Sequence, residues 1–189
     1  MINRIGRIVF GIEIFFLMPI LAVAVQTASL TEDLNRLASS SEYAGRELGE
    51  SIAANVERAP RENSKIILAA LSKQNLTDKQ LAVYIWALGL TKDSNATESI
   101  IGIHTRNKNE LIQGNCLRAL AQIGGPKSGN YLMSVLDSTA NKEMQFNIIS
   151  LLAEMQYEPA LPKAEAILKG DAKQLYWQSV FVFGKLGDK

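Results

Sequence analysis

Apolar residues recur along this chain at helical spacing, in blocks that repeat every 31 to 32 residues. Ala87-Leu88-Gly89 returns as Ala119-Leu120-Ala121, as Leu151-Leu152-Ala153 and as Val182-Phe183-Gly184, with Gly or Ala always third. A repeated apolar unit with one fixed small position is the mark of stacked helical hairpins, none of which can bury its apolar face alone. Aligned on this register, Ile85, Leu117, Ile149 and Val180 form one apolar column, and Leu88, Leu120, Leu152 and Phe183 a second. Both columns are expected in the core. Gly89, Ala121, Ala153 and Gly184 should mark the closest helix approaches.

The pattern predicts longer helices over 78–90, 109–123, 142–155 and 171–186, alternating with shorter ones over 63–73, 95–105, 127–138 and 159–169. Thr77 with Gln80, Asn95 with Glu98, and Asp171 with Gln174 have capping-box spacing. Gly124-Gly125-Pro126 and Gly170 are stop signals. Ahead of the array, Thr31–Ser39 and then Ser41 or Glu42 to about Arg58 read as helices, the second ended by Pro60. Gly45 and Gly49 each weaken that helix by roughly 1 kcal/mol relative to Ala, so either they allow close packing or the helix is shorter. In the short helices Leu68, Ile100, Leu132 and Ala164 align, as do Leu71, Ile103, Val135 and Ile167. Helix 42–58 would pair with 63–73, which gives four hairpins and a final unpaired helix. No alternating apolar run suggests a strand. The expected fold is all-α, an α-solenoid of stacked antiparallel hairpins.

The first residues carry a different pattern. Arg4 and Arg7 precede a run from Ile8 to Leu21, followed by Ala22-Val23-Ala24. Positive, apolar, then A-x-A is the order of a secretory signal peptide, cleaved here after Ala24. Glu13 interrupts the apolar run, and residues 8–25 are just long enough to span a bilayer, so an uncleaved membrane anchor is the competing reading. No cysteine stands at the cleavage site, which excludes a bacterial lipoprotein. The domains expected are thus 1–24 as signal or anchor, 25–60 as leader and capping helices, and 61–189 as the repeat array.

Charge adds little direction. Lys and Arg total 20 against 19 Asp and Glu, and loss of Arg4, Arg7 and Glu13 with residues 1–24 leaves 18 of each. Without a basic run, the electrostatic footprint of a nucleic-acid binder is missing. Cys116 is the sole cysteine and His104 the sole histidine, so no intramolecular disulfide, metal site or cofactor site is expected. Cys116 falls in an apolar helical run, where a buried inert thiol is the usual role. His104 aligns with Leu136 and Leu168 and reads as a partly buried structural histidine; no partners for a catalytic triad are apparent. Asn75-Leu76-Thr77 and Asn95-Ala96-Thr97 match glycosylation sequons, which matter only in a eukaryotic secretory host.

Arg118-Ala119-Leu120-Ala121-Gln122-Ile123-Gly124 with Gly125-Pro126, then Ala160-Leu161-Pro162, then Phe183-Gly184-Lys185-Leu186-Gly187-Asp188, resemble short HEAT-like repeats of the phycobilisome-lyase variety. Such units read as a helix ending Ala-Leu-Gly-x-Ile-Gly, a tight turn, and an Ala-Val-Pro-x-Leu-type start. The resemblance covers about residues 60–189. It departs from the family where a Val-Arg pair opens the long helix, because Leu111-Ile112-Gln113 and Met144-Gln145-Phe146 stand there. The family implies protein binding and scaffolding, with a few members acting on bilins or DNA, and no catalytic residue carries over.

In HEAT-like arrays the short helices line the concave side, so the resemblance nominates Glu98, Ser99, Asn130, Tyr131, Ser134 and Lys163 as a polar partner-binding surface. An ordinary solvated face is the alternative. The outer column of the long helices reads Trp86, Arg118, Ser150, Phe181. Trp86 could be covered by the N-terminal helices. Trp177 and Phe181 belong to a last helix that is apolar on more than one side; a partner, a second copy of the chain or truncation of the sequence would each account for it. The function expected is a non-enzymatic protein-binding module exported to the bacterial envelope. Its variants are a periplasmic immunity protein against a toxin, an envelope assembly factor, or a membrane-anchored scaffold.

Overall fold

A computed structural model of the chain describes residues 29–73 and 75–169, together with 180, 184 and 185. The chain is all-helical, with no strand among the described residues. Helix α1 covers 29–39. It is followed by α2 (Glu42–Arg58), α3 (Pro60–Leu71), α4 (Asp78–Leu90), α5 (Thr97–Arg106), α6 (Glu110–Ile123), α7 (Gly125–Ser138), α8 (Lys142–Glu154) and α9 (Leu161–Lys169). Single 3-10 turns, Ser94–Ala96 and Glu158–Ala160, precede α5 and α9. Of the helix expected over 171–186 only 180, 184 and 185 are described, and all three are helical; the Asp171/Gln174 box and residues 1–28 lie outside the described residues. Among the described residues no helix is long and apolar enough to cross a membrane.

Local chemistry sets the boundaries. The Thr77/Gln80 capping box is formed: Gln80 N donates to Thr77 Oγ1 at 3.3 Å and Thr77 N to Gln80 Oε1 at 3.0 Å. The Asn95/Glu98 box is not. Asp93 accepts from Asn95 N at 3.1 Å and caps a 3-10 turn there, so α5 starts at Thr97 instead of 95. Pro60 opens α3 as well as following α2, because its missing N–H is no loss at the first helical position. Helix α2 runs its full length through both glycines. A Cβ at Gly45 would meet Ser40 Oγ at 2.9 Å, whereas Gly49 faces open space.

The 32-residue register is written in the backbone as well as in the apolar columns. Thr77, Asn109 and Asn141 are the side-chain caps that open α4, α6 and α8. Lys92, Gly124 and Gln156, each following one of those helices, have φ of 51°, 74° and 54°. Positive φ is a common way to terminate a helix, and it recurs here at 32-residue steps, although Gly124, with ψ of −162°, caps α6 directly while Lys92 and Gln156 follow the caps Thr91 and Met155. Ser64, Ala96, Ser128 and Ala160, at the starts of the short segments, are all at most 4% exposed. Gln113 and Gln145 repeat a further bond, donating to the carbonyls of Asn107 and Thr139 at 3.1 and 2.8 Å.

Packing follows the same order. Helix α4 packs on α6 and α6 on α8; α3 lies against α2 and α4, α5 against α6, and α7 against α6 and α8, while α5 touches α7 and α9 meets the 3-10 turn before it. Ile85, Leu117, Ile149, Leu88, Leu120 and Leu152 are all buried, as the columns require. Gly89 marks a close approach, since a Cβ there would stand 2.9 Å from Ala119 Cα. The fourth register position departs from expectation. Val180 is 40% exposed and Gly184 is exposed, with none of the described residues within 4 Å of a Cβ placed there, so among the described residues neither is packed as its column-mates are. Trp86 is half-buried against the core built by α1–α6.

Two cores result, and α6 is the wall between them. Ile112, Cys116, Ala119 and Leu120 face the first core, and Leu117 and Ala121 the second. Helix α1 docks on the first core through Leu30 and Leu34, both fully buried, each burial stabilising by about 1.5–3 kcal/mol. Polar bonds fix its register: Gln80 Nε2 and Tyr84 Oη donate to Asn35 Oδ1 at 2.9 and 3.3 Å. Burial raises the Tyr84 hydroxyl above its ordinary pKa, against the opposing pull of Asn35.

Candidate partner-binding face

The nominated residues fall on successive short helices. Glu98 and Ser99 lie in the first turn of α5 and are exposed; Asn130 and Ser134 are exposed on α7. Lys163 is half-buried on α9. Trp177 and Phe181 lie outside the described residues.

Most of these side chains already have partners, and the partners join one helix to the next. Glu98 pairs with Lys127 of α7. Lys163 Nζ donates to Asp137 of α7 at 2.6 Å, and Tyr157 Oη to Asn130 Oδ1 at 2.6 Å. Ser134 Oγ donates to the Tyr131 carbonyl at 2.7 Å. Exposed ion pairs contribute little stability, but they orient the surface that carries them.

Tyr131 differs from the expected surface anchor. It is half-buried, packs against both cores, and directs its hydroxyl inward to His104 Nδ1 at 2.8 Å and Thr105 Oγ1 at 3.3 Å. The large ring fills the seam between α5 and α7, where burying apolar area outweighs exposing it to solvent. His104 is 8% exposed, and burial pushes its pKa below the ordinary value. Cys116 is fully buried and its thiol is pushed up to about 12, so it is a neutral packing group near pH 7. Asp93 is held below the ordinary carboxylate value: partial burial raises it, but the nearby Ser64 hydroxyl, the Asn95 backbone and side-chain amides that donate to it and the Arg61 charge outweigh that.

Lys127, Asp137 and Tyr157 complete this face and carry no periodicity of their own. One signal was present in the sequence: Gly129 sits inside a helix, which usually means a close approach. A Cβ there would lie 2.7 Å from Tyr157 Cζ. An open cleft elsewhere, lined by Ala38, Ser39, Thr77, Asp78, Lys79 and Gln80, includes none of the nominated residues. Among the described residues no three His, Cys, Asp or Glu side chains are grouped as metal ligands. No family model matches the chain, and no curated protein matches it closely enough to count as a relative.

Proposed function

We propose that this chain is a non-catalytic protein-binding module, an α-solenoid of HEAT-like units exported to the bacterial envelope, which takes its partner along the short helices. The observation that carries the reading is the recurrence, at 32-residue steps, of the helix cap, the positive-φ residue after the long helix and the buried small residue. Units built alike stack alike, and stacking sets their short helices side by side as one extended surface. Glu98, Ser99, Asn130, Ser134 and Lys163 then form a polar face, braced by bonds between neighbouring helices, that meets a partner with little rearrangement. The two groups best suited to nucleophilic or acid–base chemistry are both buried, His104 against Tyr131 and Cys116 in the first core. Export rests on residues 1–24, where two arginines, an apolar run and Ala22-Val23-Ala24 follow in signal-peptide order.

Capture from envelope extracts with the chain tagged after Lys189, beside a Ser99→Glu/Ser134→Glu variant, tests the binding face. The reading expects one stoichiometric protein held by the wild type and lost by the variant, with both proteins melting alike. Equal recovery by both, or none by either, overturns it.

A further inference from the structure

Beside the α6 wall, one part-buried pair joins the short helices of the two cores. His104 on α5 and Tyr131 on α7 stand edge-on, ring centroids 5.6 Å apart at 87°, joined through Nδ1 and Oη at 2.8 Å. Thr105 Oγ1 donates to the Ile101 carbonyl at 2.9 Å and lies 3.3 Å from Tyr131 Oη. With the threonine proton committed to Ile101, one directed chain satisfies the remaining groups. Nδ1–H donates to Tyr131, and Tyr131 O–H donates to Thr105. This tautomer is inferred from the hydrogen-bond network. It leaves Nε2 as a bare lone pair in an enclosed position, with no hydrogen-bond partner among the described residues.

Protonation would put a second N–H at Nε2, where no acceptor among the described residues can receive it. A buried cation with an unpartnered donor is costly, and the imidazolium regains hydration only by leaving the seam. We propose that the His104–Tyr131 pair is an acid-released fastener between the two cores. With His104 neutral it holds α7 to α5; once His104 is protonated, α7–α9 are free to open away from α1–α6. The inference is independent of any partner on the short-helix face.

Surrounding charges do not oppose this. Helix α5 itself carries Glu98 and Arg106, α6 brings Glu110, Cys116 and Arg118, and α7 brings Lys127, Tyr131 and Asp137. Apart from buried, neutral Cys116 and the partner Tyr131, all of these are exposed, and burial is the sole cause of the downward shift on His104. Because the folded value lies below the ordinary one of about 6.5, the open state takes the proton first. Fastening is therefore complete above about pH 6.5 and is lost as the pH falls below it.

His104 is the sole histidine, so its ring resonances in the full chain report its titration without ambiguity. NMR titration paired with hydrogen exchange from pH 7.5 to 4.5 tests the fastener. The expected result is a midpoint below about 6.5, with protection in α7–α9, corrected for intrinsic exchange, falling up to about tenfold per pH unit while that of α4 holds. His104→Gln should abolish the acid-dependent fall. Tyr131→Phe, which keeps the ring, should lower α7–α9 protection already at pH 7.5. A wild-type midpoint at or above about 6.5, an equal acid response in His104→Gln, or no change in Tyr131→Phe overturns the proposal.

Discussion

The two cores share a wall in α6 but are built from different material. The first is closed on its outer side by α1, whose leucines are fully buried and whose Asn35 is tied to Gln80 and Tyr84. Its buried set includes Ile52, Val56, Ile67, Tyr84, Ile85, Ile100 and Ile112, large groups with few rotamers. Among the described residues, four of the ten buried in the second core are alanines, against five of seventeen in the first, and Met133, Met144 and Met155 pack at its edge. Phe146 on α8 is left 40% exposed. Small and flexible side chains bury less area and specify their neighbours less tightly. One register thus produces units of unequal stability, with α7–α9 the region expected to open first.

Leu88→Ala and Leu152→Ala put the largest strain on this comparison. Both leucines are fully buried, one in each core, and each truncation should cost about 2–5 kcal/mol in urea unfolding. Leu88→Ala should lower exchange protection throughout the chain, whereas Leu152→Ala should lower it in α7–α9 and leave α4 protected. Equal effects on both regions would merge the cores into one.

Gly89→Ala sharpens the account at the α4–α6 contact. The added methyl meets the Ala119 backbone, which cannot swing aside, so overpacking of about 1–3 kcal/mol is expected as a lowered melting temperature. The smallest effect has the opposite sign. Gly49→Ala, in open space on α2, should stabilise by about 0.5–1 kcal/mol through helix propensity, a rise in melting temperature that separates tight glycines from unused ones.

Much of the helical framework was legible in the residues. Helices α2 and α4, the core columns through residue 152 and the Thr77 cap follow from spacing alone, because each is a local or strictly repeated feature. Contacts between neighbouring helices were not legible. Tyr131 aligns with a polar column yet faces inward, because its hydroxyl finds His104 on the preceding short helix, 27 residues earlier. Asn109 and Asn141 cap helices without a matching Glu or Gln at capping-box spacing, and Asp93 outcompetes Asn95 by reaching the free amide from two residues away. The face itself was legible only as aligned positions; the pairings of Glu98, Asn130 and Lys163 depend on side chains outside those columns.

Hydrogen exchange of the wild-type chain at pH 7.5, resolved helix by helix, tests most directly whether the shared register builds two cores of unequal strength. The slowest exchange is expected in α4 and α6, intermediate exchange in α2 and α3, and the fastest in α8 and α9, with a step across α7. Uniform protection from α2 to α9, lost in a single transition, would contradict two cores of unequal strength.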